Sequence, residues 1–152
     1  MILRLVIFFL INFGALALGG LFTTEAVNGA WYLGLQKAPW TPPGWFFGVA
    51  WSTIMLCFSF YMAFLWEKVS DKKQLIALFV LQFLLNVLWN PIFFYWQEVI
   101  GGLVTITVLT LLVGYFLVKY WRLLKWQSLL ILPYFLWLII ATSLNAYILV
   151  NN

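Results

Sequence analysis

The run ILRLVIFFLINFGALALGGLF, residues 2–22, contains one charged residue, Arg4. A helix needs about 20 apolar residues to cross the hydrocarbon core of a bilayer, so this run has the length and composition of a transmembrane helix. The rest of the chain is similar: 66% of its 152 residues are apolar and 8% are charged. Water-soluble domains do not reach this balance, which predicts an integral membrane protein with no room for a separate soluble domain.

Four further apolar runs, bounded by charged residues or by Pro and Gly, follow the first. Together they predict helices at about 2–22, 45–66, 74–96, 100–121 and 126–150. No alternation of about ten residues typical of barrel strands recurs, so the fold class is an all-α bundle of five transmembrane helices. The whole chain, 1–152, forms one membrane domain, and the long loop 23–44 joins helices 1 and 2.

The charges are distributed unequally between the two sides of this bundle. Seven cations lie on the side of the N-terminus: Arg4, Lys68, Lys72, Lys73, Lys119, Arg122 and Lys125. Only Lys37 lies on the other side, so the positive-inside rule predicts a cytoplasmic N-terminus and an external C-terminus. Topology therefore explains the net charge of +4, and no nucleic-acid partner is needed.

A cleaved signal peptide ending near Ala15–Ala17 is the alternative interpretation of the first helix. The apolar run continues to Phe22, which favours a retained helix.

The chain contains no His and a single cysteine, Cys57. This composition argues against zinc, copper and iron–sulfur sites, a Ser-His-Asp relay, an intrachain disulfide and axial ligation of haem. We therefore predict neither a metal nor a cofactor.

The ten tryptophans fall into two groups. Seven lie in loops or near predicted helix ends, where tryptophan anchors membrane proteins at the interface: Trp31, Trp40, Trp45, Trp66, Trp96, Trp121 and Trp126. Trp51, Trp89 and Trp137 lie deeper, the first two about 9–10 Å inside their helices at 1.5 Å per residue. These three are the candidates for a role other than anchoring.

Two helical stripes combine deep aromatic residues with amides. They comprise Gln82, Asn86, Trp89 and Phe93 in helix 3, and Tyr134, Trp137, Ala141 and Asn145 in helix 5. Each amide alone is explained by hydrogen bonds that tie helices together. Two stripes at similar depth, together with Trp51, favour a cavity for a large, flat, mostly apolar ligand. The loop above is interpreted either as a lid over this cavity or as a segment lying on the headgroups.

Three motifs carry a resemblance to a known family. They are the loop sequence Trp31-Tyr32 through Leu35-Gln-Lys-Ala-Pro-Trp-Thr-Pro-Pro-Gly-Trp45 with Trp51, then Gln82, Leu85-Asn86, Trp89 and Phe93-Phe94, then Leu132-Pro-Tyr134, Trp137, Ala141 and Leu144-Asn145. In this order the chain resembles, over nearly its whole length, the tryptophan-rich sensory protein family, also called the translocator protein or peripheral benzodiazepine receptor family.

The resemblance implies binding of porphyrins, and in many members of isoquinoline carboxamide and benzodiazepine drugs, in an outer-half pocket under the first loop. The residues implied as ligand contacts are Trp31, Tyr32, Trp51, Asn86, Trp89, Trp137 and Ala141. It also implies a bacterial cell membrane as the location and a homodimer as the assembly. A role as receptor or carrier is the leading hypothesis. The alternatives are light- and oxygen-dependent porphyrin breakdown, with Trp51 and Trp137 as catalytic candidates, and a scaffold that acts through protein partners.

The chain departs from the family pattern at two places. Val49, Ile54 and Met55 replace the usual residues of the helix 2 wall, which puts drug affinity in doubt. After Tyr147 the chain lacks the basic residue of the mammalian cholesterol-recognition segment, so sterol transport is not supported.

Overall fold

The computed structural model describes all 152 residues as helices and turns, without a β-strand. Six α-helices are present: α1 (Ile2–Thr23), α2 (Ala30–Gly34), α3 (Gly44–Lys68), α4 (Lys72–Asn90), α5 (Val99–Leu124) and α6 (Leu132–Asn151). Two 3₁₀ turns, Ala26–Asn28 and Lys125–Ile131, and a π-helical turn, Pro91–Tyr95, connect them. The predicted all-α class is confirmed.

Four continuous helical segments are long and apolar enough to cross a membrane: Ile2–Asn28, Gly44–Lys68, Lys72–Tyr95 and Val99–Asn151. The last segment has 53 residues and contains both α5 and α6. These two helices fold back on each other at the 3₁₀ turn, and Thr110 Oγ1 lies 3.0 Å from Thr142 Oγ1 across their contact.

Two prolines set helix boundaries that differ from the predicted ones. The predicted helix 74–96 leaves α-helical geometry after Asn90, because Pro91 has no N–H to donate to the preceding turn. The chain then widens into the π-helical turn. The predicted helix 126–150 becomes α-helical only at Leu132, with Pro133 in its first turn, where a missing N–H costs nothing. Within the predicted loop 23–44, the structure adds two short helical turns.

The two ends of the bundle are defined by contacts between distant residues. At the end that we call the basic end, the N-terminus and Arg4 each lie 3.2 Å from Glu67, and Lys68 donates to Gln127 at 2.7 Å. At the other end, the loop end, the Asn152 side chain bonds the backbone of Gln36.

Large aromatic side chains fill the bundle between the basic end and its middle. Phe58, Tyr61, Phe116 and Tyr134 are fully buried in one continuous core cluster. The Tyr61 hydroxyl donates to the Phe116 carbonyl at 3.1 Å. Near the middle of the bundle, the Asn12 amide donates to Ser59 at 2.9 Å and ties α1 to α3. This half of the bundle is a packed scaffold for the half that follows.

Candidate ligand-binding cavity

The loop-end half of the bundle encloses a cavity of about 690 Å³ between α1, α3, α4 and α6, beneath the loop 23–44. This volume lies in the range of small-molecule sites in proteins. Six of the seven predicted site residues line it: Tyr32, Trp51, Asn86, Trp89, Trp137 and Ala141. The fold therefore brings together residues that are up to 109 positions apart in the sequence.

Trp51 of α3 and Trp137 of α6 form an aromatic wall of the cavity. Their ring centroids are 6.5 Å apart and their planes are nearly perpendicular, at 83°. Phe47 packs edge-on against Trp137 at 5.3 Å, one helical turn before Trp51. The buried indole N–H of Trp137 has no hydrogen-bond partner. The wall thus presents broad apolar surface whose orientation is fixed by neighbouring rings.

Of the three predicted amide side chains, two form hydrogen bonds between helices and one has no partner. Gln82 donates to the Tyr134 hydroxyl at 2.7 Å, and Asn145 accepts from the Trp89 indole at 3.2 Å while donating to the Val99 carbonyl. Both amides therefore join helices. Asn86 is different, because its backbone carbonyl accepts from the Asn90 side chain but its own carboxamide has no partner in the protein. It is the amide free to bond a ligand.

Small residues create the space in front of this wall. Gly20, Gly44 and Gly48 line the cavity, and a Cβ at any of them would meet no atom within 4 Å. At Gly19, in contrast, a Cβ would lie 2.6 Å from Asn90 Nδ2, so a side chain there would displace the Asn90 carboxamide. Gly19 and Ala15 are both buried and pack inside the bundle, whereas Gly44 and Gly48 are exposed.

The loop covers the cavity and is held by aromatic contacts. Tyr32 lines the cavity and packs on Phe94 at 5.5 Å. Trp31, the seventh predicted site residue, lies outside the lining and packs edge-on against Phe93, also at 5.5 Å. Trp31 therefore supports the wall from behind rather than facing the cavity.

Two further contacts fasten the loop to α6. Asn152 accepts a hydrogen bond from the Gln36 N–H at 2.8 Å and donates to the Gln36 carbonyl at 3.1 Å. The Trp40 indole donates to Ser143 at 3.1 Å and packs against Tyr147. These contacts hold the loop against α6, and loop residues Tyr32, Lys37 and Thr41 form part of the cavity lining.

Lys37 is the only charged side chain that lines the cavity. Its ammonium donates to the Tyr32 carbonyl at 2.6 Å and lies 4.4 Å from the centre of the Tyr32 ring. Burial raises the pKa of the Tyr32 phenol above its ordinary value near 10. The phenol therefore remains a protonated donor at neutral pH, beside a fixed positive charge.

Sequence reasoning missed three parts of the lining: Phe47, Lys37 and the pair Thr23–Asn90. Thr23 Oγ1 lies 2.8 Å from Asn90 Oδ1 and joins the end of α1 to the end of α4. A usable signal existed for two of them, since Phe47 precedes Trp51 by four residues and Asn90 follows Asn86 by four, which places each on the same helical face.

Comparison with known proteins agrees with this architecture. The sequence model of the TspO/MBR family matches residues 6–150. The chain belongs to the TspO/MBR family. It is 36% identical over 135 residues to the tryptophan-rich protein TspO of Archaeoglobus fulgidus, covering 88% of this chain and 87% of the relative. It is 33% identical over 140 residues to protein CrtK of Rhodobacter capsulatus, covering 90% and 88%. The human translocator protein is 29% identical over 119 residues, covering 76% and 70%.

Membership in the TspO/MBR family confirms the resemblance stated from the motifs. It also confirms a multi-pass membrane protein with transmembrane helices, as the apolar runs predicted. Bacterial relatives include the tryptophan-rich sensory protein of Cereibacter sphaeroides, which is 31% identical over 115 residues, covering 76% of this chain and 72% of the relative.

Proposed function

We propose that this TspO/MBR protein is a membrane receptor or carrier for porphyrins and similar flat, mostly apolar ligands. The observation that carries the proposal is the cavity of about 690 Å³, walled by Trp51 and Trp137 and lined at one end by residues of the loop 23–44. Aromatic walls with few polar groups suit a flat conjugated ring, which is held mainly by its faces.

Two polar groups of the cavity have assigned roles in this proposal. The unpaired Asn86 carboxamide hydrogen-bonds a pyrrole nitrogen or a ring substituent. Lys37, as the sole charged group of the lining, balances the carboxylate of a protoporphyrin side chain at the loop end. Lys37 lies near the mouth rather than deep in the cavity, so the carboxylates stay close to water while the ring is buried.

The proposal includes five crossings, with a cytoplasmic N-terminus and an external C-terminus. It is supported by the fold-back of α5 on α6, which divides the 53-residue segment into two antiparallel helices. A membrane-impermeant maleimide provides the test in intact cells, on a Cys57→Ser background. Asn152→Cys should react from outside and Lys125→Cys only after lysis; the reverse pattern would contradict this orientation.

The binding proposal is tested by titrating the purified protein with protoporphyrin in detergent and following tryptophan fluorescence. We expect saturable quenching with a Kd that rises about threefold to tenfold in Trp51→Phe and Trp137→Phe, since each loses part of a stacking surface. Trp126→Phe, at the basic end, is the matched control and should keep the original Kd. Unsaturable quenching, or equal Kd values in all variants, would contradict the proposal.

Porphyrin photo-oxidation is a second candidate function, favoured by the contact between the cavity indoles of Trp51 and Trp137. Two adjacent indoles beside an excited porphyrin are able to donate electrons. The bound porphyrin should then lose its absorption band under light and oxygen faster than free porphyrin in the same detergent, and yield a distinct product. Bleaching at the rate of free porphyrin would exclude turnover.

A homodimer is proposed on the resemblance to the family alone. Light scattering of the detergent-solubilised protein tests it. A protein mass of about twice 17.7 kDa is expected.

A further inference from the structure

The cations at the basic end differ in whether they have partners. Four are engaged: Arg4 with Glu67, Lys68 with Gln127, Lys119 with Gln74, and Lys72 with backbone carbonyls of residues 66 and 69. The side chains of Lys73, Arg122 and Lys125 have neither a hydrogen bond nor an ion pair within the protein. The unengaged cations are the ones available to a ligand.

Arg122 and Lys125 line one shallow groove of about 450 Å³ at the end of α5, whereas Lys73 lies outside it. The other lining residues are Trp121, Trp126 and Leu129. The two indoles are 45% and 72% exposed, although they are among the largest apolar groups of the chain. The groove therefore combines two free positive charges with open aromatic and aliphatic surface.

The backbone brings these residues together through an unusual turn. α5 ends at Leu124, and Lys125 has φ 54° and ψ −125°, a left-handed conformation that residues other than glycine rarely adopt. This reversal starts the 3₁₀ turn that carries Trp126 and Leu129, and places them beside the last turn of α5 with Arg122.

The groove also lies where a membrane surface is expected. It sits at the end of a helix that is apolar enough to cross the bilayer. Exposed tryptophans are typical of the boundary between hydrocarbon and headgroups. The guanidinium of Arg122 offers paired donors that match a phosphate, and the Lys125 ammonium adds a point charge. No acidic side chain lines the groove to compete for them.

We propose that this groove binds the headgroup phosphate of an anionic phospholipid. Arg122 and Lys125 contact the phosphate, while Trp121, Trp126 and Leu129 pack against the glycerol and the first acyl carbons. The site is at the opposite end of the bundle from the loop-end cavity, and it does not depend on porphyrin binding.

The test compares two lipids on the full-length protein. Native mass spectrometry of the protein in detergent, titrated with dioleoyl phosphatidylglycerol or dioleoyl phosphatidylcholine, gives the affinity for each. We expect a clear preference for the anionic lipid. Arg122→Gln and Lys125→Gln should each weaken phosphatidylglycerol binding about fivefold, and the double variant about twentyfold, with phosphatidylcholine binding unchanged.

The matched control is Arg4→Gln/Lys73→Gln, which removes the same charge from the same end of the bundle but outside the groove. It should leave the preference intact. Equal losses in the control and groove double variants would overturn the proposal in favour of unspecific surface charge. No preference in the original protein would also overturn it. Displacement of phosphatidylglycerol by millimolar glycerol 3-phosphate would show a site for soluble phosphate rather than lipid, and would equally contradict it.

Discussion

The two halves of the bundle are built from the same helices, but aromatic residues pack against one another in one half and line a cavity in the other. Toward the basic end, Phe58, Tyr61 and Phe116 are fully buried against one another. Toward the loop end, Trp51 and Trp137 face a cavity of about 690 Å³. We call the half toward the basic end the filled half and the half toward the loop end the hollow half. Both contain large aromatic residues, but the cavity lining of the hollow half also contains small residues: Gly20, Gly44, Gly48 and Ala141.

We infer that the filled half mainly stabilises the fold and that the hollow half mainly binds the ligand. A cavity in an apolar interior lowers stability, because the lining loses contacts that a packed core would make. The hollow half is tolerated because the filled half and the amide ties of Gln82 and Asn145 hold the helices in place. Substitutions in the two halves should therefore affect different measurements.

The largest effect is expected from Phe58→Ala in the filled half. Removing a fully buried phenyl ring leaves a void, which should lower the free energy of unfolding by about 3–5 kcal/mol. Phe47→Ala, at the partly exposed cavity wall, is the comparison and should cost less than half as much. Thermal unfolding in detergent measures both, and equal losses would show that the halves are not distinct.

Filling the cavity should weaken ligand binding and leave stability almost unchanged. Ala141→Phe places a ring in the cavity and is expected to raise the Kd for protoporphyrin at least about tenfold, with little change in thermal unfolding. Leu136→Phe, on the exposed side of the same helix, is the matched control. Unaltered binding by Ala141→Phe would place the ligand elsewhere.

The amides provide a sharper contrast within the hollow half. Asn145→Leu leaves the Trp89 indole without a partner and removes the side-chain bond to the Val99 carbonyl, which should cost about 1–3 kcal/mol of stability. Asn86→Leu breaks no side-chain bond, so it should keep stability and weaken porphyrin binding about fivefold, the effect of about 1 kcal/mol. Porphyrin titration and thermal unfolding of both variants distinguish an interhelical hydrogen bond from a ligand contact. A loss of stability in Asn86→Leu would contradict the role of Asn86 as a ligand contact.

The smallest effect is expected from breaking the hydrogen bonds between Asn152 and the loop backbone at Gln36. Asn152→Ala removes two hydrogen bonds between the loop and α6, and the loop should open more often. We expect porphyrin dissociation to become about twofold to fivefold faster, as measured by stopped-flow fluorescence. Asn151→Ala is the control, because its side chain bonds only the Tyr147 carbonyl of its own helix. The same dissociation rate in both variants would show that the fastening does not control access.

Much of this arrangement could be predicted from the sequence because it rests on periodicity. Spacings of three and four residues placed Trp89 with Asn86 and Trp137 with Ala141 on common faces, and hydropathy marked the apolar runs. The sequence could not sort the amides, because whether Asn145 or Asn86 finds a partner depends on residues from distant helices. It also missed Lys37, whose position follows from how the loop folds over the cavity.

The most direct test of the binding site is a crystal structure of the protein with protoporphyrin bound. We expect electron density for the ring inside the loop-end cavity, against Trp51 and Trp137 and within hydrogen-bond distance of the Asn86 carboxamide. Ring density on the outer surface of the bundle, with the cavity unchanged, would contradict it.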